Sequence, residues 1–103
     1  MLRSIYTLTA LDKNNKLAYW NKPTRSWSYN EDRVTMFQDN KEGWKDLYEQ
    51  YSFTTQIGKV CVGLEITPIQ PDTITINRYS VIDDGKLPIK HLRILVDKEE
   101  DIF

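Results

Sequence analysis

The sequence predicts an α+β domain: a mostly antiparallel sheet with one amphipathic helix, over about residues 40–52, packed on one face. Three observations carry this. Period-two alternation of apolar and polar residues recurs in short runs on both sides of residues 40–52, as in strands that bury one face. Trp44, Leu47, Tyr48 and Tyr51 fall at i, i+3, i+4 and i+7, the spacing of one helical stripe. Connections are short except around the helix, which favours antiparallel neighbours. A sheet covered by a single helix then buries both apolar faces.

Taken in order, Ser4–Leu11 is a strand with Tyr6, Leu8 and Ala10 on one face and Thr7 and Thr9 on the other. Asp12-Lys13-Asn14-Asn15-Lys16 supplies turn chemistry, since Asn accepts positive φ. Leu17–Asn21 returns as a second strand, which Pro23 ends or confines to an edge. Ser26-Trp27-Ser28 resumes pairing, Asn30-Glu31-Asp32 forms a helical turn or a bend, and Val34–Phe37 is extended. Asp39 and Asn40 both suit the helix N-cap, and capping by Asp39 places Glu42 at N3 in a capping-box arrangement. Gly43 weakens the helix by about 1 kcal/mol relative to Ala, but lets its first turn approach the sheet closely. Lys59–Thr67 alternates Val60, Val62, Leu64 and Ile66 against Cys61, Gly63, Glu65 and Thr67, and is expected as one half-buried strand. Thr73–Ile82 follows with Ile74 and Ile76 inward. Asp83-Asp84-Gly85 is a turn, His91–Val96 a last strand, and residues 98–103 a frayed, mainly acidic tail.

The 103 residues fit one domain, residues 1–103, with no repeat, low-complexity run or linker to divide it. The 28% of charged residues and 40% of apolar ones suit a globular domain and argue against wholesale disorder. With a net charge of −1, no strongly basic partner-seeking character is expected. The first residues lack the apolar run of a signal peptide, and no stretch approaches the length of a membrane span. The expected location is the cytoplasm.

Little in the sequence points to bond-making chemistry. Cys61 is the one cysteine, too few for an intrachain disulfide or a zinc site built on cysteines. His91 is the one histidine and lies opposite Leu92 and Ile94, on the solvent side of its strand. No local motif joins it to Ser52, Ser80 or Cys61 as a nucleophile–base pair. The four glycines are too scattered to cradle a phosphate. The expectation is therefore a non-enzymatic protein with no catalytic residue, no cofactor and no metal.

Two charge asymmetries remain. Between Lys13 and Arg25 there are four bases, Lys13, Lys16, Lys22 and Arg25, and no acid, with Tyr19, Trp20 and Trp27 interleaved. Basic side chains that follow a phosphate backbone, alongside aromatic rings that stack on bases, are how single strands are held. The competing structural role is that the aromatics build the core while the lysines protect an edge strand. Residues 61–103 carry eight acids against five bases, and acidic loops there, with Asp83 and Asp84 foremost, could complement a basic protein surface.

The run Tyr19-Trp20, Ser26-Trp27-Ser28, Val34-x-x-Phe37 and Glu42-x-Trp44-x-x-Leu47 resembles a pattern in small accessory proteins of phages and mobile elements of Gram-positive bacteria. There, a hairpin ending in tryptophan leads into a short strand and an amphipathic helix. Val34 and Gly43 stand where alanine is more usual. The resemblance spans residues 17–51 and its positions are structural, so it transfers no site. It implies a small accessory protein that binds a host protein, a group that includes inhibitors of CRISPR effectors and other host-defence blockers. The expected function is thus the binding and modulation of a macromolecular partner, a host nuclease or nucleoprotein, through Tyr19, Trp20, Lys22, Arg25, Trp27, Asp83 and Asp84. The alternative is a single-stranded nucleic-acid-binding module built on residues 13–29. No membrane partner is expected, and both monomer and homodimer remain open.

Overall fold

The computed structural model describes residues 2–82. The turn at Asp83-Asp84-Gly85, the strand at His91–Val96 and the acidic tail lie outside the described residues. The elements are β1 (Leu2–Leu11), β2 (Leu17–Asn21), β3 (Ser26–Ser28), a 3-10 turn (Glu31–Arg33), β4 (Phe37–Gln38), α1 (Lys41–Gln56), β5 (Lys59–Val62), β6 (Glu65–Pro68), a second 3-10 turn (Pro71–Thr73) and β7 (Thr75–Ile82). This is the expected α+β class, one helix with a mostly antiparallel sheet.

β1 is the strand the sheet is built on. One edge pairs with β7 from Leu2↔Ile82 to Thr9↔Thr75. The other is shared by β4, through Tyr6↔Phe37, and β2, through Thr9↔Tyr19. From β2 the sheet continues to β3, β5 and β6. All pairings are antiparallel except β3 with β5, which are parallel and meet at the single pair Trp27↔Val60. Just past β6 the sheet curls back onto the end of β1. Asp12 bridges Ile69, the Lys13 N–H donates to the Pro68 carbonyl at 2.9 Å, and the Gln70 N–H donates to the Leu11 carbonyl at 2.9 Å.

Two cross-strand tryptophans fill the space under the helix. Trp20 and Trp27 are paired in register on β2 and β3, both buried, with their rings edge-to-face at 5.2 Å. Each indole N–H is taken inside the protein. Trp20 donates to Gln50 Oε1 at 3.0 Å in the middle of α1, and Trp27 donates to the Ile57 carbonyl at 2.8 Å at the helix C-cap. Leu8, Ala10, Ala18, Leu47, Val60, Ile69, Ile74 and Ile76 complete the core around them. At the helix's other end Trp44 stacks on Tyr48 at 5.6 Å and meets the tilted ring of Tyr6 at 4.6 Å.

The expectations for β1, α1 and β5–β6 change in detail. Tyr6, Leu8 and Ala10 share the helix-covered face, but Thr7 and Thr9 on the opposite face are also buried. Asn77 of β7 donates its amide to Thr9 Oγ1 at 2.6 Å, so a long-range partner supplies the polar satisfaction there. The helix is capped by Asn40, whose Oδ1 accepts from the Gly43 N–H at 2.7 Å. Asp39 instead accepts from the Trp44 indole at 3.0 Å, so the Asp39–Glu42 capping box does not form. The helix also runs to Gln56, past residue 52. Thr54 and Thr55, poor helix formers on paper, return their hydroxyls to the carbonyls of Tyr51 and Ser52.

The one strand expected over Lys59–Thr67 is a hairpin. Gly63 adopts φ +62 and, with Leu64, forms a two-residue turn closed by the pair Val62↔Glu65. In a straight strand Val60, Val62, Leu64 and Ile66 share a face. The turn breaks that alignment, because Ile66 now pairs with Cys61. Of the four, only Val60 is buried. Val62, Leu64 and Ile66 stand 55%, 101% and 60% exposed.

Two substitutions test this packing. A Cβ at position 43 would lie 2.0 Å from the Gln38 carbonyl oxygen, a backbone atom. Gly43→Ala therefore loses more by overpacking than the roughly 1 kcal/mol it gains in helix propensity, for a net loss of about 2 kcal/mol in urea unfolding. A stabilised variant contradicts the close approach of β4 and α1. Trp20→Phe removes the donor to buried Gln50 and leaves a gap. It is expected to cost about 3 kcal/mol in the same assay, and a loss under about 1 kcal/mol contradicts the account of the core.

Candidate functional site

The basic and aromatic residues of 13–29 are mostly engaged within the fold. Trp20 and Trp27 are core residues, so the sequence expectation that they touch a partner is revised. Freeing either ring forfeits about 3–5 kcal/mol of packing, whereas stacking one base returns about 1–3 kcal/mol. The single-strand reading thus loses its platforms. Lys16 Nζ sits 4.2 Å above the Tyr29 ring, and the Arg25 guanidinium 4.6 Å above the Phe53 ring. Lys22 pairs with Asp46 at 2.5 Å beside the helix N-terminus, an exposed pair worth at most about 1 kcal/mol. Tyr19 is partly buried and its hydroxyl is held above the ordinary tyrosine value, first by burial and then by Glu31 and Tyr79. Asp83 and Asp84 lie outside the described residues.

Asp12 closes the curled sheet. Its Oδ1 accepts from the backbone N–H groups of Asn14 and Lys16, at 2.8 and 2.9 Å, and organises the turn that ends in Asn15 at φ 62. Its Oδ2 accepts from the Tyr29 hydroxyl at 2.5 Å, and its carbonyl accepts from the Gln70 side-chain amide at 2.7 Å. The Tyr29 bond, with the backbone donors and Lys16 in support, holds this carboxyl below the usual carboxylate range against the opposing effect of burial. Burial, then the Asp12 hydrogen bond, raises the Tyr29 hydroxyl in turn.

Among the described residues, the surface includes a cleft beside α1, a second beside β3, and an apolar projection. A cleft of about 290 Å3 lies between β4 and the start of α1, with Lys22 and Asp46 among its walls. A second, of about 230 Å3, lies outside β3 and β5, where Ser28, Arg33, Cys61 and Val62 meet. The projection is the β5–β6 hairpin, whose Val62, Leu64 and Ile66 form the main group of exposed aliphatic side chains among the described residues. Sequence reading placed these three in the core. The signal against that was Gly63 in the middle of the alternation. Cys61 is an exposed free thiol on the same hairpin. Among the described residues, no group of three or more His, Cys, Asp or Glu side chains could hold a metal ion, and no helix is long and apolar enough to cross a membrane. His91 lies outside the described residues.

No protein-family model, curated protein or solved structure matches this chain.

The Asp12 network makes a pH prediction. A carboxyl held below its ordinary value contributes stability that is present above about pH 4 and is lost as pH falls through the lowered value. Asp12→Asn is expected to flatten the acid limb of a plot of urea midpoint against pH between 7 and 2. Limbs of equal slope for variant and wild type contradict the network's role.

Proposed function

We propose that this is a non-enzymatic protein that acts by binding a macromolecular partner, and that the β5–β6 hairpin makes the first contact. The observation that carries this is the exposure of Val62, Leu64 and Ile66. Val62 and Ile66 stand on opposite faces of the hairpin with Leu64 at its tip, and three aliphatic side chains held in water there lose transfer free energy that contact with a partner recovers. The two-residue turn at Gly63-Leu64 and the β5–β6 pairing set where these side chains project. The resemblance of residues 17–51 to phage and mobile-element accessory proteins supports a bacterial cytoplasmic setting and a host-defence protein, a nuclease or nucleoprotein, as the partner class. Nucleic acid is the weaker reading, because Trp20 and Trp27 are committed to the core and three of the four basic residues between 13 and 25 rest on Tyr29, Asp46 or Phe53.

The test is affinity capture from a bacterial host lysate with the wild-type chain and with the Val62→Ser, Leu64→Ser, Ile66→Ser triple variant. Because the three side chains are exposed, the triple variant is expected to unfold within about 1 kcal/mol of wild type. Wild type is expected to retain a specific protein that the variant releases. Retention of no protein, or equal retention by both, overturns the proposal.

A further inference from the structure

We infer that the β5–β6 hairpin is a strap that lifts from both of its neighbours as one unit while the tryptophan core stays folded, and that the Gln70 side-chain amide is the latch that holds it shut. This motion belongs to the free protein and needs no partner.

The hairpin is lightly held for its length. Along β5 it meets β3 at the one pair Trp27↔Val60, in a register that points the Cys61 N–H at β3. Along β6 it meets the end of β1 through the Asp12↔Ile69 bridge and the bond from the Lys13 N–H to the Pro68 carbonyl. Val60 and Ile69 are its buried aliphatic side chains, while Val62, Leu64 and Ile66 stand in water. A segment with little buried apolar surface opens at lower free energy than the domain it belongs to. The part that remains has ties of its own. Trp20 and Trp27 bond to Gln50 and to the Ile57 carbonyl of α1, and β1 pairs with β7 from Leu2↔Ile82 to Thr9↔Thr75. None of these bonds involves a residue of the hairpin.

The base of the hairpin carries the latch. The Ile69 N–H donates to the Gly58 carbonyl at 2.8 Å, so the two strands leave and return at one point. A Cβ at Gly58 would meet open space, so the chain is not wedged at this pivot. One residue on, Gln70 grips the turn after β1. Its side-chain amide donates to the Asp12 carbonyl at 2.7 Å and to Asn15 Oδ1 at 2.9 Å, and its backbone N–H donates to the Leu11 carbonyl. The turn presents both side-chain acceptors without help from the hairpin. Asp12 Oδ1 takes the Asn14 and Lys16 N–H groups, Oδ2 takes the Tyr29 hydroxyl, and Asn15 sits at φ 62. Beyond the latch the chain is anchored again, where Thr73 Oγ1 accepts from the Leu11 N–H at 2.8 Å. When the strap lifts, Val60 and Ile69 join Val62, Leu64 and Ile66 as apolar surface, so a partner that takes the hairpin favours the open form.

The test is native-state hydrogen exchange of the full chain by NMR. The amides of Lys13, Cys61 and Gln70 are read against the Trp20 indole. Lys13 and Gln70 report the β1 side of the strap and Cys61 the β3 side. The three are expected to share one opening, at least tenfold more frequent than the opening that frees the Trp20 indole. Gln70→Ala is expected to raise that opening about tenfold at Lys13 and equally at distant Cys61. Ile76→Val, in the core on β7, is expected to speed exchange of the Trp20 indole about fivefold and to leave Lys13 and Cys61 unchanged. Unrelated openings for the three amides, exchange of all three only with the Trp20 indole, a Gln70→Ala effect absent at Cys61, or equal acceleration of all sites by Ile76→Val overturns the strap. Because no partner is present, failure here leaves the binding reading standing, and an empty lysate capture leaves the strap standing.

Discussion

The structure depends on two buried indole N–H groups finding acceptors on the same helix. Trp20 reaches Gln50 and Trp27 reaches the carbonyl of Ile57, about two turns further along α1. In net terms each bond contributes only about 1 kcal/mol, but an orphaned buried donor costs about 1–3 kcal/mol. The constraint is therefore positional. Any shift of α1 along the sheet strands one indole or the other. The edge-to-face contact between the rings ties β2, β3 and the helix into one unit. Gly43 allows the closest approach at the helix's other end, against the Gln38 backbone.

That arrangement determines what is left for the surface. With α1 fixed over β2 and β3, β5 meets β3 through a single parallel pair, and the chain must turn back sharply to reach β1 at Ile69. Asp12 and Tyr29 hold that return, while the turn at Gly63-Leu64 extends beyond it. The exposed aliphatic hairpin and the cleft beside it are consequences of closing a short sheet onto a long first strand.

Much of the architecture was legible in the sequence because it rests on local periodicity. β1, β2, the helical stripe of Trp44 and Leu47, and the inward Ile74 and Ile76 all follow from spacing. What the sequence hid depended on partners distant along the chain. Thr7 and Thr9 read only as the second face of β1, and their burial was hidden because Asn77 lies about seventy positions away. Asp39 and Asn40 both read as caps, and the choice of Asn40 was hidden because the partner of Asp39, the Trp44 indole, belongs to the helix's own stripe. Val62, Leu64 and Ile66 read as core because alternation is blind to a two-residue turn when the glycine occupies a polar position in the pattern. The interleaved aromatic and basic residues of 13–29 fit two physical roles equally well as a string. Burial of Trp20 and Trp27 separates those roles, and burial is not a property of the string.

The two β-strand tryptophans are buried and build the fold. Hydrogen exchange of the three indole N–H groups in the free protein checks this. The Trp20 and Trp27 signals are expected to be strongly protected and to exchange together with global unfolding, and Trp44, half-buried and bonded to exposed Asp39, to exchange faster. Exchange of Trp20 and Trp27 at the rate of a free indole would contradict the clamp and return both rings to the surface.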